Sequence, residues 1–211
     1  LGEMLAENHP GYGDVVTAIP EASSAATHAY AHRLGKPERE LVKKSRHAVK
    51  RTFMAGETDN RRRLIDAKFD ISPGVSGRKI DVVDDSFVCG NTGEILFGNM
   101  TERFGAKALH ARSTAPKVVA DCTRGVNMRS GDGKFLAIDE ETGAVLSDEE
   151  MAVRIGATTM GFVELRELQE VIRQGGGNPN HYCYECFGGQ GFGPLIRRAE
   201  RPTIKEFVWP V

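Results

Sequence analysis

The 211-residue chain contains no run of about eighteen apolar residues, so no segment reads as a membrane-spanning helix. Its first residues, LGEMLAENHPGYG, lack the basic and apolar stretches of a signal peptide, which points to the cytoplasm. They also lack an initiator Met, so the sequence reads as one part of a longer polypeptide. Neither sign of charge is in excess, and a net value of −1 argues against a general nucleic-acid binder. Only four cysteines are present, and without a secretion signal they are expected as thiols or metal ligands rather than disulfides. No internal repeat or low-complexity tract interrupts the chain. At 40% hydrophobic residues it has material for one sizeable core.

What is present converges on Lys79 to Gly93, KIDVVDDSFVCGNTG. Ile80, Val82 and Val83 are apolar and mostly β-branched, which predicts a short buried strand that stops at Asp84 and Asp85. Adjacent carboxylates repel and call for a cation, sugar hydroxyls or solvent. Ser86, Gly90, Asn91, Thr92 and Gly93 then combine small side chains with hydroxyls before a helix predicted over Glu94 to Phe104. Backbone N–H groups at a helix N-terminus attract anions, and glycine lets an anion approach closely. Strand, loop and helix in that order put a ligand site at the carboxyl end of a strand. Taken alone, the acid pair reads equally as a solvated turn and Asn91 to Gly93 as a helix cap.

A second unit of this kind lies upstream, where the strand Val15 to Pro20 leads through Glu21, Ala22, Ser23 and Ser24 into an alanine-rich helix ending before Gly35. Lys36 to Lys68 then carries eleven Lys or Arg against five Asp or Glu, a concentration that suggests an anionic ligand or a basic solvated face. Leu41 and Val42 are expected in a strand, Ser45 to Asn60 in a long loop, and Arg61 to Phe69 in a helix. Further on come a strand at Lys107 to Arg112, a hairpin pairing Phe135 to Ile138 with Ala144 to Leu146, and a capping box at Ser147 and Glu150. A last strand at Gly161 to Val163 precedes a helix broken by Gly175 to Gly177. Alternating strands and helices predict an α/β fold with an open, mainly parallel sheet flanked by helices. The C-x-x-C of Cys183 and Cys186 reads as a metal or redox site, most commonly half of a zinc site, with His110 and Cys122 available as further ligands, or an iron–sulfur ligand pair; free thiols are the alternative.

VVDDSFVCGNT resembles the substrate-binding signature of type I phosphoribosyltransferases, and more narrowly that of the amidophosphoribosyltransferase family. IPEASS, LVKKSRHAVKRTF and IGATTMGFVELRELQEVI are similar to other segments of that family. The likeness runs from about residue 1 to 193, with a gap near 132 to 146 where the hairpin is an insertion. It implies a type I phosphoribosyltransferase domain over residues 1–175 and a cysteine-containing extension over 176–211 packing on it. It implies transfer of ammonia to phosphoribosyl pyrophosphate, giving phosphoribosylamine and pyrophosphate in purine biosynthesis. The ammonia comes from a glutaminase domain or subunit that this chain does not contain, and the expected assembly is a homo-oligomer. In this reading Asp84 and Asp85 hold the ribose hydroxyls directly or through Mg2+, while Ser86 and Gly90, Asn91, Thr92 and Gly93 hold the 5′-phosphate. Glu21, Ser23 and Ser24 hold the pyrophosphate, and Arg46, Lys50 and Arg51 belong to a closing loop that neutralises it. Cys122, Cys183 and Cys186 match three of the four ligands of the [4Fe–4S] cluster that some members carry, with zinc as the alternative. Cys89 stands where the family pattern has Arg, Asn91 where it has Thr, Ala22 where it has a hydroxyl residue and Lys50 where it has Gly. These departures favour a second reading, a non-catalytic module that senses phosphoribosyl pyrophosphate; a third is a transferase with another acceptor, because the acceptor pocket has no signature in the sequence.

Overall fold

In a computed structural model, residues 1–45, 68–122, 124–126 and 134–191 are described. The loop residues Arg46, Lys50 and Arg51 therefore lie outside the described residues. The chain runs α1 (Gly2–Asn8), β1 (Val15–Ala18), α2 (Ser24–Leu34), β2 (Val42–Lys44), β3 (Phe69–Ile71), β4 (Lys79–Asp84), α3 (Asn91–Gly98), β5 (Ala108–Ser113), α4 (Asp148–Ile155), β6 (Thr159–Phe162) and α5 (Leu165–Gln174). A π-helical turn, Asn99–Arg103, extends α3, and Gly105 follows at φ +70°.

Four strands form a parallel sheet in the order β1-β4-β5-β6, as the alternation of strands and helices predicts. Thr17 pairs with Val82, Val82 with Ala111 and Ala111 with Met160, so β4 is interior to the sheet. Strand side chains alternate between faces, and this divides the core in two. Ile80, Val82, Leu109 and Ala111 pack with Leu96 and Phe97 of α3 and Met151 and Ile155 of α4. Val16 and Val83 pack on the opposite face with Leu5, Tyr30 and Ala31 from α1 and α2. Both faces are thus covered, which is why Ile80, Val82 and Val83 are all apolar and the one polar residue among them, Asp81, is buried.

The second face also carries a buried polar layer. Asp81 accepts from Gly13 N at 2.8 Å and from Lys36 Nζ at 2.7 Å, and Lys36 Nζ also donates to Gly11 O. Arg112 donates from Nε to His9 O and from its terminal nitrogens to Pro10 O and Thr159 Oγ1. A Cβ on Gly13 would sit 2.4 Å from the Asp81 backbone nitrogen, so residues 9–13 lie close against the sheet only because this position is glycine. His110 is buried with Nδ1 near Thr159 Oγ1, and burial pushes its imidazole below its ordinary value.

Two sequence-based expectations are corrected. Of the helix expected over Arg61 to Phe69, residues 61–67 lie outside the described residues and Lys68 is helical, but Phe69 belongs to β3, because β3 pairs antiparallel with β2 and Phe69 is buried. The hairpin at 135–146 forms only in part: an antiparallel bridge joins Ile138 to Val145, with Leu146 N donating to Ala137 O and Asp139 N to Ala144 O, both at 2.9 Å, but neither arm extends into a strand. Its tip is a polar turn in which Asp139 Oδ1 accepts from Thr142 N at 2.9 Å and Thr142 Oγ1 at 2.8 Å. The capping box at the start of α4 forms as expected, with Ser147 Oγ accepting from Glu150 N and Glu150 Oε2 accepting from Ser147 N.

Candidate active site

Strand β4 ends where its apolar run ends, and the chain turns across the carboxyl edge of the sheet. Asp84 Oδ1 accepts from Asp85 N at 2.8 Å and Asp85 Oδ1 accepts from Ser86 N at 2.8 Å. Each carboxylate thus stiffens the turn with one oxygen. Phe87 drops into the core against Phe97, with ring centroids 6.4 Å apart, and pins the loop from below. Gly90 then caps α3 at φ +75°, where other residues are strained. No side chain caps the helix, so its first-turn N–H groups stay available to a ligand.

These residues line a cavity of about 330 Å³ together with Ile19, Pro20, Glu21 and Ala22 from the loop after β1. The structure therefore unites Asp84, Asp85, Ser86, Gly90, Asn91, Thr92, Gly93 and Glu21 in one concavity. Ser23 and Ser24 do not line it. Ser23 is buried and donates to Ile19 O at 2.6 Å, while Ser24 donates to Glu21 O at 3.0 Å, so both hydroxyls shape the loop. Lys44 pairs with Glu21 at 3.2 Å. Burial, reinforced by the adjacent Asp85 charge, pushes the Asp84 carboxyl up to about 8. A cation or hydrogen-bond donors placed there would relieve that cost.

Sequence reasoning missed two contributors. Lys68 lines the cavity, although it reads as part of a basic helix in the sequence. The segment taken as an inserted hairpin supports the phosphate loop: Leu136 N donates to Val88 O at 2.8 Å, and a Cβ on Gly90 would lie 3.0 Å from Leu136 Cδ1. Arg154 of α4 fastens that segment, donating to Ile138 O at 2.9 Å and pairing with Asp139 at 3.4 Å. Replacing Arg154 by Ala is expected to lower stability by about 1 kcal/mol and to weaken binding of ribose 5-phosphate several-fold. Melting curves and calorimetry check both.

None of the four cysteines forms a disulfide, in keeping with the expectation of thiols or metal ligands. Val119 N and Ala120 N both donate to Cys186 O, so the Cys122 segment and the C-x-x-C segment lie side by side. Burial pushes the Cys186 thiol up, and the charges of Cys122 and Cys183 act in the same direction. Among the described residues no three His, Cys, Asp or Glu side chains form a metal-holding group. The expected [4Fe–4S] or zinc site at Cys122, Cys183 and Cys186 is therefore not formed by these residues.

No profile of a known protein family matches the chain. Individual proteins do. Amidophosphoribosyltransferase of Glycine max is 33% identical over 213 residues, covering 99% of this chain and 35% of the relative. The chain is homologous to the C-terminal transferase region of amidophosphoribosyltransferases. The Archaeoglobus fulgidus amidophosphoribosyltransferase is 31% identical over 88% of the chain. Among solved structures, the glutamine phosphoribosylpyrophosphate amidotransferase from B. subtilis complexed with ADP and GMP superimposes with a TM-score of 0.74 at 28% identity, covering 93% of this chain and 42% of that one. The chain spans well under half the length of these amidophosphoribosyltransferases, and its fold is the type I phosphoribosyltransferase fold.

Proposed function

We propose that this chain binds phosphoribosyl pyrophosphate in the cavity at the end of β4 and transfers ammonia to it. In the reaction the bond from ribose C1 to the pyrophosphate oxygen breaks, a C1–N bond forms, and a proton from nitrogen leaves to solvent. The observation that carries the reading is the acid pair Asp84–Asp85 beside the uncapped N-terminus of α3, inside one cavity. Asp84 and Asp85 accept hydrogen bonds from the ribose hydroxyls and fix C1. Ser86, Thr92 and the backbone N–H groups of residues 91–93 bind the 5′-phosphate. The loop after β1 faces the pyrophosphate, with Glu21 and Ala22 on the cavity wall. No nucleophilic side chain is needed, because positioning and charge stabilisation supply the rate.

The two carboxylates are hard oxygen donors at the cavity wall, and a desolvated Asp84 fits a divalent cation such as Mg2+. When bound, it would neutralise charge on the departing pyrophosphate. Purine biosynthesis in the cytoplasm, a glutaminase domain or subunit as the source of ammonia, and a homo-oligomer complete the reading. Residues 1–175 form the transferase domain in this reading and 176–211 its extension, with Arg46, Lys50 and Arg51 as the pyrophosphate-facing cations of a closing loop.

Ammonia-dependent release of pyrophosphate from phosphoribosyl pyrophosphate tests the proposal. Release is expected to require the ligand, ammonia and magnesium together. Binding without release would favour the sensor, a reading supported by Ala22, Cys89 and Asn91 on the cavity wall. Release with a different amine and not with ammonia would favour another acceptor.

A further inference from the structure

The lining of the cavity is richer in acidic than in basic side chains, even with Lys44 paired to Glu21 at 3.2 Å. Glu21, Asp84 and Asp85 place three carboxyl groups on its wall, and among the described lining residues Lys68 is the one basic side chain. Cys89 lines the same wall and supplies no cation. Phosphoryl oxygens brought next to carboxylates are repelled, and at a half-buried site that repulsion is poorly screened. Helix α3 offers partial positive charge only at its own end. A ligand with two phosphorylated ends is therefore held better where a basic side chain of the cavity wall adds to the charge of a divalent cation and the closing loop.

Lys68 is placed to supply it. Its backbone carbonyl accepts from Ser45 N at 2.8 Å, which anchors it at the base of the β2–β3 pair. Its ammonium lies 5.1 Å from the centroid of the Phe69 ring, and Phe69 is itself buried. That ring contact steadies the stem and leaves the ammonium donors free to turn toward the cavity. Lys68 and Asp84 line the same cavity, and the Lys68 charge favours the ionised form of Asp84.

We infer that Lys68 is the cation that holds a phosphoryl group of the ligand in this cavity, a role that rests on the phosphoribosyl pyrophosphate reading above. As a mobile point charge, Lys68 suits a phosphate without imposing bidentate geometry. It is a binding residue that also sets specificity, since it distinguishes phosphorylated from neutral sugars.

Calorimetry on the full chain tests this with three probes: phosphoribosyl pyrophosphate with magnesium, ribose 5-phosphate and inorganic pyrophosphate. Lys68→Met keeps the apolar stem over Phe69 and removes the charge. It is expected to weaken phosphoribosyl pyrophosphate binding about tenfold, with the melting temperature unchanged. Whichever of the two simpler probes weakens with it identifies the phosphoryl group that Lys68 holds. Lys68→Arg is expected to stay within about threefold of the native chain. Lys107→Met removes an exposed charge outside the cavity and should change nothing. If Lys68→Met binds all three probes as the native chain does, or loses no more than Lys107→Met, the inference is wrong while the proposed function stands. If the native chain binds none of them, the proposed function fails and takes this inference with it.

Discussion

Replacing Asp84 and Asp85 together by Ala is expected to reduce ammonia-dependent pyrophosphate release by on the order of 1,000-fold, with the fold retained. The two carboxylates sit where β4 ends, at the carboxyl edge of a sheet whose strands are all parallel. Losing them removes the groups proposed to fix the ribose and the charge that would recruit a cation. The fold survives because neither side chain belongs to either apolar cluster. Without magnesium, Asp84→Asn carries a second signature. The folded chain holds the Asp84 proton from about pH 4 to about 8, whereas the unfolded chain releases it near 3.8. The native chain therefore loses stability as pH rises through that window, and the Asn variant does not share this loss. After solvent screening at this half-buried position, the variant should be more stable by about 1–2 kcal/mol above pH 8 and equal to the native chain near pH 4. Denaturation at the two pH values checks it. A variant that gains stability while losing function would mark Asp84 as a strained functional group.

Replacing Lys36 by Met is expected to have the largest effect on stability. Asp81 is fully buried, and Lys36 is its one cationic hydrogen-bond partner, at 2.7 Å. Removing the ammonium leaves a carboxylate in the sheet with only Gly13 N as a donor, and breaking a buried pair from one side costs about 3–5 kcal/mol. For a chain of this size that corresponds to a fall in melting temperature of roughly 6–20 °C. Asp81→Asn should cost less, because an amide oxygen still accepts from Gly13 N and the Lys36 ammonium, partly solvent-accessible, keeps Gly11 O. Combining the two substitutions should recover part of the Lys36→Met loss, since the stranded charge is gone. Equal losses for both single variants would show that the pair contributes packing rather than charge compensation.

The acid pair and the phosphate loop are legible in the sequence because local rules determine them. Ile80, Val82 and Val83 define a strand by their chemistry, and the abrupt change to Asp84 marks its end. Gly90 signals a left-handed turn, and the capping box of Ser147 and Glu150 declares a helix start from four residues. What escapes the sequence depends on tertiary neighbours. Phe69 lies in a basic stretch of helical appearance, and only pairing with β2 makes it a strand. Lys68 joins the site for the same reason. The hydroxyls of Ser23 and Ser24 look available in IPEASS, yet the loop folds them onto its own carbonyls. Segment 135–146 has the alternation of a hairpin and pairs as one around the Ile138–Val145 bridge, but Leu136 is drawn beneath Gly90 and Arg154 holds the outward carbonyls of Leu136 and Ile138, contacts that the alternation does not announce.

The central claim is that the cavity beside Asp84 and Asp85 is a phosphoribosyl pyrophosphate site. Calorimetric titration of the folded chain with phosphoribosyl pyrophosphate and magnesium measures it most directly. Saturable binding at one site per chain, weakened at least tenfold in the Asp84→Ala/Asp85→Ala variant, is the predicted result. A folded chain that gives no binding heat at any ligand concentration up to millimolar, or a double variant that binds as tightly as the native chain, would contradict it.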